Sequence, residues 1–176
     1  KDSTTQAITL DNKVVAAFDT KPIICPEDTA GFRNTSTGVI DSWQWIFGNG
    51  NTSTLKDPPA QRYPITGIET VYRITLIATS SVFGCRDSVT HDVRVLGNCF
   101  IAVPTAFTPN GDGLNDHLFP MNAVKAENLD FKVFNRWGQL VFATKNWLRR
   151  WDGTVNGIQQ PTGTYVWYLS FTHTDT

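Results

Sequence analysis

Thr108, Asn110, Asp112, the Leu114 carbonyl and Asp116 follow one another at every second residue, in a run that also holds Pro109, Gly111 and Gly113. With Gly113 at the sixth place of an EF-hand-type loop, they fall at places 1, 3, 5, 7 and 9, an oxygen set suited to Ca2+. Thr108 stands where the first Asp is usual, and Phe119 where the bidentate Glu belongs. Two carboxylates alone imply weak binding, about 10⁻⁴–10⁻³ M. The alternative is a loop closed by its own Asn and Asp side chains bonding to backbone N–H groups. The residue types favour that alternative over the cation.

Catalytic chemistry has less to stand on. His91, His117 and His173 are widely spaced and adjoin no nucleophile motif. Nothing has zinc-ligand spacing, and Gly111–Asp112–Gly113 is followed by no Lys–Ser/Thr pair to hold phosphate. The chain therefore reads as a non-enzyme.

At 176 residues, 40% apolar and 12% aromatic, it is long enough for one large packed domain or two small ones. A net charge of -1 argues against nucleic acid or an anionic membrane as partner. No run of about 18 apolar residues is present. Lys1 begins neither with an initiator Met nor with a signal peptide, so an internal or C-terminal piece is expected. The three cysteines, Cys25, Cys85 and Cys99, permit one disulfide and leave one thiol.

The pattern of the whole chain is β. Residues 2–10 alternate like 87–95, which suggests the last strand of a preceding repeat over 1–11. Residues 12–97 then hold short strands broken by turns. Trp43, Trp45 and Phe47 fall on one face, with Gly48–Asn49–Gly50–Asn51 as a hairpin turn. Tyr72, Ile74, Leu76 and Ala78 share a face of the next strand. Residues 98–176 have a hairpin at Arg136–Trp137–Gly138–Gln139 and tight turns at Trp151–Asp152–Gly153 and Asn156–Gly157. Over Thr164–Thr172, Tyr165, Trp167, Leu169 and Phe171 lie on one face. Asn122–Leu129 alone has a helix-like composition, as short as an isolated turn. The fold class expected is all-β, two sandwich modules in series.

Within 12–97, Asn34–Thr35–Ser36–Thr37–Gly38, Trp43-x-Trp45-x-Phe47–Gly48–Asn49–Gly50, Tyr63 and Val71-x-x-x-x-Leu76 resemble a PKD domain, an immunoglobulin-like sandwich. Asn49 replaces the usual Asp of that family, which speaks against a metal at this turn. The resemblance implies a sheet-bridging Cys25–Cys85 disulfide. On the chain-entropy model such a link, closing about 60 residues, adds about 4 kcal/mol and places the protein in an oxidising compartment. Cys99, at the joint between modules, reads as a small buried or capped residue, with a reactive thiol as the alternative.

Residues 98–172 resemble the type B sorting domain of the type IX secretion system, the gliding-motility-associated C-terminal domain. The matching residues are Cys99, Pro104-x-Ala106–Phe107–Thr108–Pro109–Asn110–Gly111–Asp112–Gly113-x-Asn115–Asp116, Phe134–Asn135–Arg136–Trp137–Gly138, Trp151–Asp152–Gly153–Thr154 and Pro161-x-Gly163–Thr164–Tyr165. Members of that family continue for another strand or two beyond the position of Thr176.

This resemblance implies an extracellular, cell-surface protein exported through periplasm and outer membrane. Its implied partners are type IX translocon components and a PorP/SprF-type outer-membrane barrel protein. The PKD module would be a spacer or adhesion unit. Arg136 and Trp137, with Tyr165 and Trp167, are candidates for partner recognition. The competing expectation packs Trp137 under its hairpin and Trp167 in the core, and the residue types favour it. The alternative function is a carbohydrate-binding accessory of an extracellular hydrolase, with a surface glycan as partner.

Overall fold

The computed structural model describes residues 3, 5 and 13–173. The strand expected over 2–10 lies outside them. The chain divides into two compact units, Lys1–Gly97 and Asn98–Thr176.

The first unit is a sandwich of two antiparallel layers with one parallel edge. Strands β1 (Phe18–Thr20) and β3 (Phe32–Asn34) form a two-stranded layer. The other layer runs β2 (Ile23–Ile24), β7 (Cys85–Val95), β6 (Thr70–Ser80), β4 (Ser42–Ile46) and β5 (Thr52–Ser53). Alternation in β6 buries Ile74, Leu76 and Ala78, as the two-residue period requires. Trp45 and Phe47 are fully buried, with rings stacked at 6.1 Å, and Phe18 meets Trp45 edge-on at 5.2 Å. Trp43 only flanks this core. Asn49 serves its turn, its Oδ1 accepting the Asn51 N–H at 3.0 Å and its amide donating to the Arg62 carbonyl.

The second unit is built on a three-stranded antiparallel sheet in the order β12 (Val166–His173), β8 (Ala126–Phe134), β9 (Leu140–Thr144). A small hairpin of β10 (Thr154–Val155) and β11 (Ile158–Gln159) stands beside it, turned by Asn156 and Gly157, both at positive φ. Phe131 and Val133 of β8 are buried against Leu118, Leu129 and Trp151, with Phe107, Tyr165 and Leu169 at the margin. The helix-like composition near Asn122 yields one 3-10 turn, Ala123–Lys125, before β8 begins at Ala126. Three residues are too few for a stable helix. Sheet pairing takes the rest.

The cysteine pairing differs from expectation. Cys25 and Cys99 are disulfide-bonded, and Cys85 is a free thiol. Register explains why. Ile24 pairs in parallel with Val95, at the end of β7, whereas Cys85 opens that 11-residue strand opposite Ser80. At about 3.3 Å per residue, Cys85 sits roughly 30 Å from Cys25 along the sheet. A disulfide needs Cα atoms within about 7 Å. Cys99 follows shortly after Val95, at the right end. Neither the Cys25–Cys85 link nor the unbonded role expected for Cys99 survives.

Candidate functional site

The 108–116 run forms a loop fastened from inside. The Asp116 carboxylate accepts N–H groups from Gly111 and Gly113 at 2.7 Å and from Asn110 at 3.1 Å. Asp112 accepts the Leu114 N–H at 2.7 Å on one oxygen and the Asn110 amide at 2.9 Å on the other. Asn110 Oδ1 receives the Asp112 N–H, and the Thr108 N–H bonds the Asn115 carbonyl at 2.8 Å. The Gly111 N–H above all, then those of Gly113 and Asn110, hold the Asp116 carboxyl below the usual aspartate range, against a smaller opposing effect of burial. Every carboxylate oxygen of the run already has a donor. Of the two readings the sequence allows, this geometry supports the self-bonded loop.

The loop leans on the Trp151–Asp152–Gly153 turn. Trp151 is buried, donates Nε1–H to the Thr154 carbonyl at 2.9 Å, and exchanges backbone bonds with Leu118. Phe107 and Tyr165 pack on it at ring distances of 5.3 and 5.1 Å. Asp152 accepts the Thr154 N–H and hydroxyl, each at 2.9 Å, so it caps its own turn. The Thr154 bonds hold its pKa down.

Between the 104–109 stretch, the 159–165 stretch and the start of β12 lies a groove of about 350 Å³. Phe107, Leu118 and Trp151 line it from the core, with Tyr165 and Trp167 also on its wall, and among the described residues no charged side chain borders it. Tyr165 is anchored by its hydroxyl donating to the Pro161 carbonyl at 2.7 Å. Trp167 is 43% exposed, although it pairs with the buried Val133 and so faces the core side of its sheet. The expectation of a core Trp167 fails because no layer covers that edge among the described residues.

Arg136 and Trp137 stand at the tip of the β8–β9 hairpin. Asn135 shapes this tip, its Oδ1 accepting the N–H groups of Trp137 and Gln139 at 3.0 Å. Trp137 is 66% exposed and Arg136 lies over its ring at 4.3 Å. Trp137 therefore does not pack beneath the hairpin. Among the described residues no second layer covers the tip. Val166 pairs with Phe134, so the start of β12 and this tip share one end of the sheet. All four recognition candidates thus lie toward that end, though only Tyr165 and Trp167 line one groove. Sequence periodicity did not reveal the groove, because its walls come from stretches distant in the chain.

No helix in the described residues is long and apolar enough to cross a membrane. Residues 101–176 match the CHU_C Type IX secretion signal domain. The chain is also similar to the PKD1 domain from the Vibrio cholerae metalloprotease PrtV, at 30% identity and a TM-score of 0.40, covering 47% of this chain and 96% of that one. Likewise it is similar to the PKD1 domain of Vibrio anguillarum Epp, at 25% identity and a TM-score of 0.40, covering 49% and 98%. No curated protein was found to match it. The part of the chain over 101–176 is thus similar to a type IX secretion signal domain. Such a signal marks a protein for export to the cell surface or extracellular space and engages the type IX machinery.

Proposed function

We propose that residues 98–176 act as the address by which the type IX translocon exports and displays a larger surface protein, and that the module over 12–97 is its spacer or adhesion unit. The observation that carries this reading is the signal-domain match over 101–176. The inward-bonded loop and the Trp151 turn support it, since they give the address a rigid shape without catalytic groups. The exposed Arg136–Trp137 pair supplies a contact of the type that dominates protein interfaces. Its partner in this proposal is an outer-membrane barrel protein of the PorP/SprF type. The fragment itself carries out no reaction.

The test is surface display. A reporter fused to the second unit through its natural C-terminus, in a type IX-competent bacterium, is expected on the cell surface. Retention in the periplasm, while the intact protein is displayed, would overturn an autonomous address. Trp137→Ala is expected to lower display with an unchanged melting midpoint, because the ring covers little of the core.

A further inference from the structure

Five steps in this chain place Asn or Asp before glycine: Asn49–Gly50, Asn110–Gly111, Asp112–Gly113, Asp152–Gly153 and Asn156–Gly157. Such a step is chemically labile, because glycine has no side chain to shield its nitrogen from the neighbouring side-chain carbonyl carbon. Attack closes a five-membered ring and requires the Asn or Asp side chain to turn freely. Four of the five are tied. Asn49 Oδ1 accepts the Asn51 N–H at 3.0 Å while its amide donates to the Arg62 carbonyl at 3.2 Å. Asn110 is held by Asp112 through both its oxygen and its amide, and the Gly111 nitrogen is itself engaged, donating to Asp116 at 2.7 Å. Asp112 accepts the Leu114 N–H, and the Gly113 nitrogen donates to Asp116 at 2.7 Å. Asp152 accepts both Thr154 donors at 2.9 Å.

Asn156 differs. It is exposed, and its side chain has no hydrogen bond to any described residue. With Gly157 it makes the two-residue turn between β10 and β11, which pair over only two residues each. So short a hairpin has little stability of its own, and it opens locally at less cost than the sheet beside it. Opening lets Asn156 leave its φ of 51 and bring its Cγ to the Gly157 nitrogen. We propose that Asn156 is a site of spontaneous covalent modification, left open by the fold while the other four steps are protected. The Gly157 nitrogen gives up its proton and bonds to Asn156 Cγ. The Cγ–Nδ2 bond breaks, and the side-chain NH2 leaves with a proton as ammonia. Water then opens the succinimide at one of its two carbonyls, giving aspartate or isoaspartate. Either product adds one negative charge to the chain's net -1. The isoaspartyl form also lengthens the backbone of the turn by one atom, so the Thr154–Gln159 and Val155–Ile158 pairs lose their fit.

The test is to incubate the folded 176-residue chain in warm, mildly alkaline buffer and digest samples in acid, which halts the reaction. Peptide mass spectrometry reads the replacement of NH2 by OH, and retention separates isoaspartyl from aspartyl peptides. Asn156 is expected to convert about tenfold or more faster than Asn49 and Asn110. In guanidinium, where the hydrogen bonds at Asn49 and Asn110 are gone, the three rates are expected to converge. Asn156→Gln, whose longer side chain cannot close the five-membered ring, is expected to remove the more acidic form seen on ion exchange. Equal rates at the three sites of the folded chain, or faster conversion at Asn49 or Asn110, would overturn the proposal. So would a rate gap that survives in guanidinium, since it would come from local sequence and not from the fold.

Discussion

Pro109 Cγ lies 2.9 Å from the point where a Cβ on Gly153 would stand. The 108–116 loop and the Trp151–Gly153 turn, 35 residues apart at their nearest ends, therefore meet at a place where only hydrogen fits. Through that contact the best-defined loop of the second unit is seated on the turn that carries its buried tryptophan.

Gly153→Ala tests this seating. The residue has φ +80, and its methyl would meet both Pro109 and Gln159 Nε2, the latter at 3.0 Å. The expected cost to the second unit is about 1–3 kcal/mol, from left-handed backbone strain and overpacking together. Gly111→Ala also has positive φ but opens onto free space, so only the backbone penalty of about 1–2 kcal/mol applies. Urea unfolding followed by tryptophan fluorescence measures both, and equal midpoints for the two variants would refute the seating.

Acid should loosen the same region. Asp116 is held below the ordinary aspartate range chiefly by the Gly111 N–H, and Asp152 by the bonds from Thr154. A depressed carboxyl stabilises the fold above its unfolded pKa of about 3.9, and the contribution is lost as pH falls through the folded value. Melting midpoints are therefore expected to drop below about pH 4, and less steeply in Asp116→Asn. A chelator at neutral pH should leave the midpoint in place. A rise on adding millimolar calcium would instead favour the cation.

In the first unit the informative group is Tyr63, whose buried hydroxyl donates to the Phe47 carbonyl at 3.1 Å. Burial pushes its pKa up to about 12. Since the unfolded chain ionises near 10, the contribution is intact below pH 10. It is lost as pH rises from there through about 12. Tyr63→Phe is expected to cost about 1–2 kcal/mol at neutral pH, by leaving a carbonyl unpaired. It should also flatten the alkaline decline in urea midpoint. An equally steep decline in the variant would place its cause elsewhere.

Maleimide labelling under non-reducing conditions checks the cysteines. One adduct, on Cys85, is expected from the native chain, with Cys25 and Cys99 recovered as a linked peptide pair. Cys85→Ser should leave that pair untouched. Recovery of a Cys25–Cys85 peptide would restore the pairing implied by the resemblance to PKD domains.

Much of this architecture was present in the residue order. Alternation at a period of two marked Ile74, Leu76 and Ala78 as buried, because a strand has no other way to sort its faces. Asn156–Gly157 and the glycines of the 108–116 run announced their turns, since few residues tolerate positive φ. Asn and Asp at two-residue spacing foretold a loop bonded to itself. These are local matters, decided within a few residues, and local order is what a sequence spells out.

Three features needed the tertiary structure. Cysteine partners depend on which end of β7 lies beside β2, and the parallel register sends Cys25 away from Cys85. Whether Trp137 and Trp167 are covered depends on a second layer being there, and strand periodicity names a face without saying what lies over it. The groove at Trp167 exists because stretches about 50 residues apart converge at the start of β12. Such encounters are set by how sheets pair and pack, a long-range free-energy balance that no short window of residues contains.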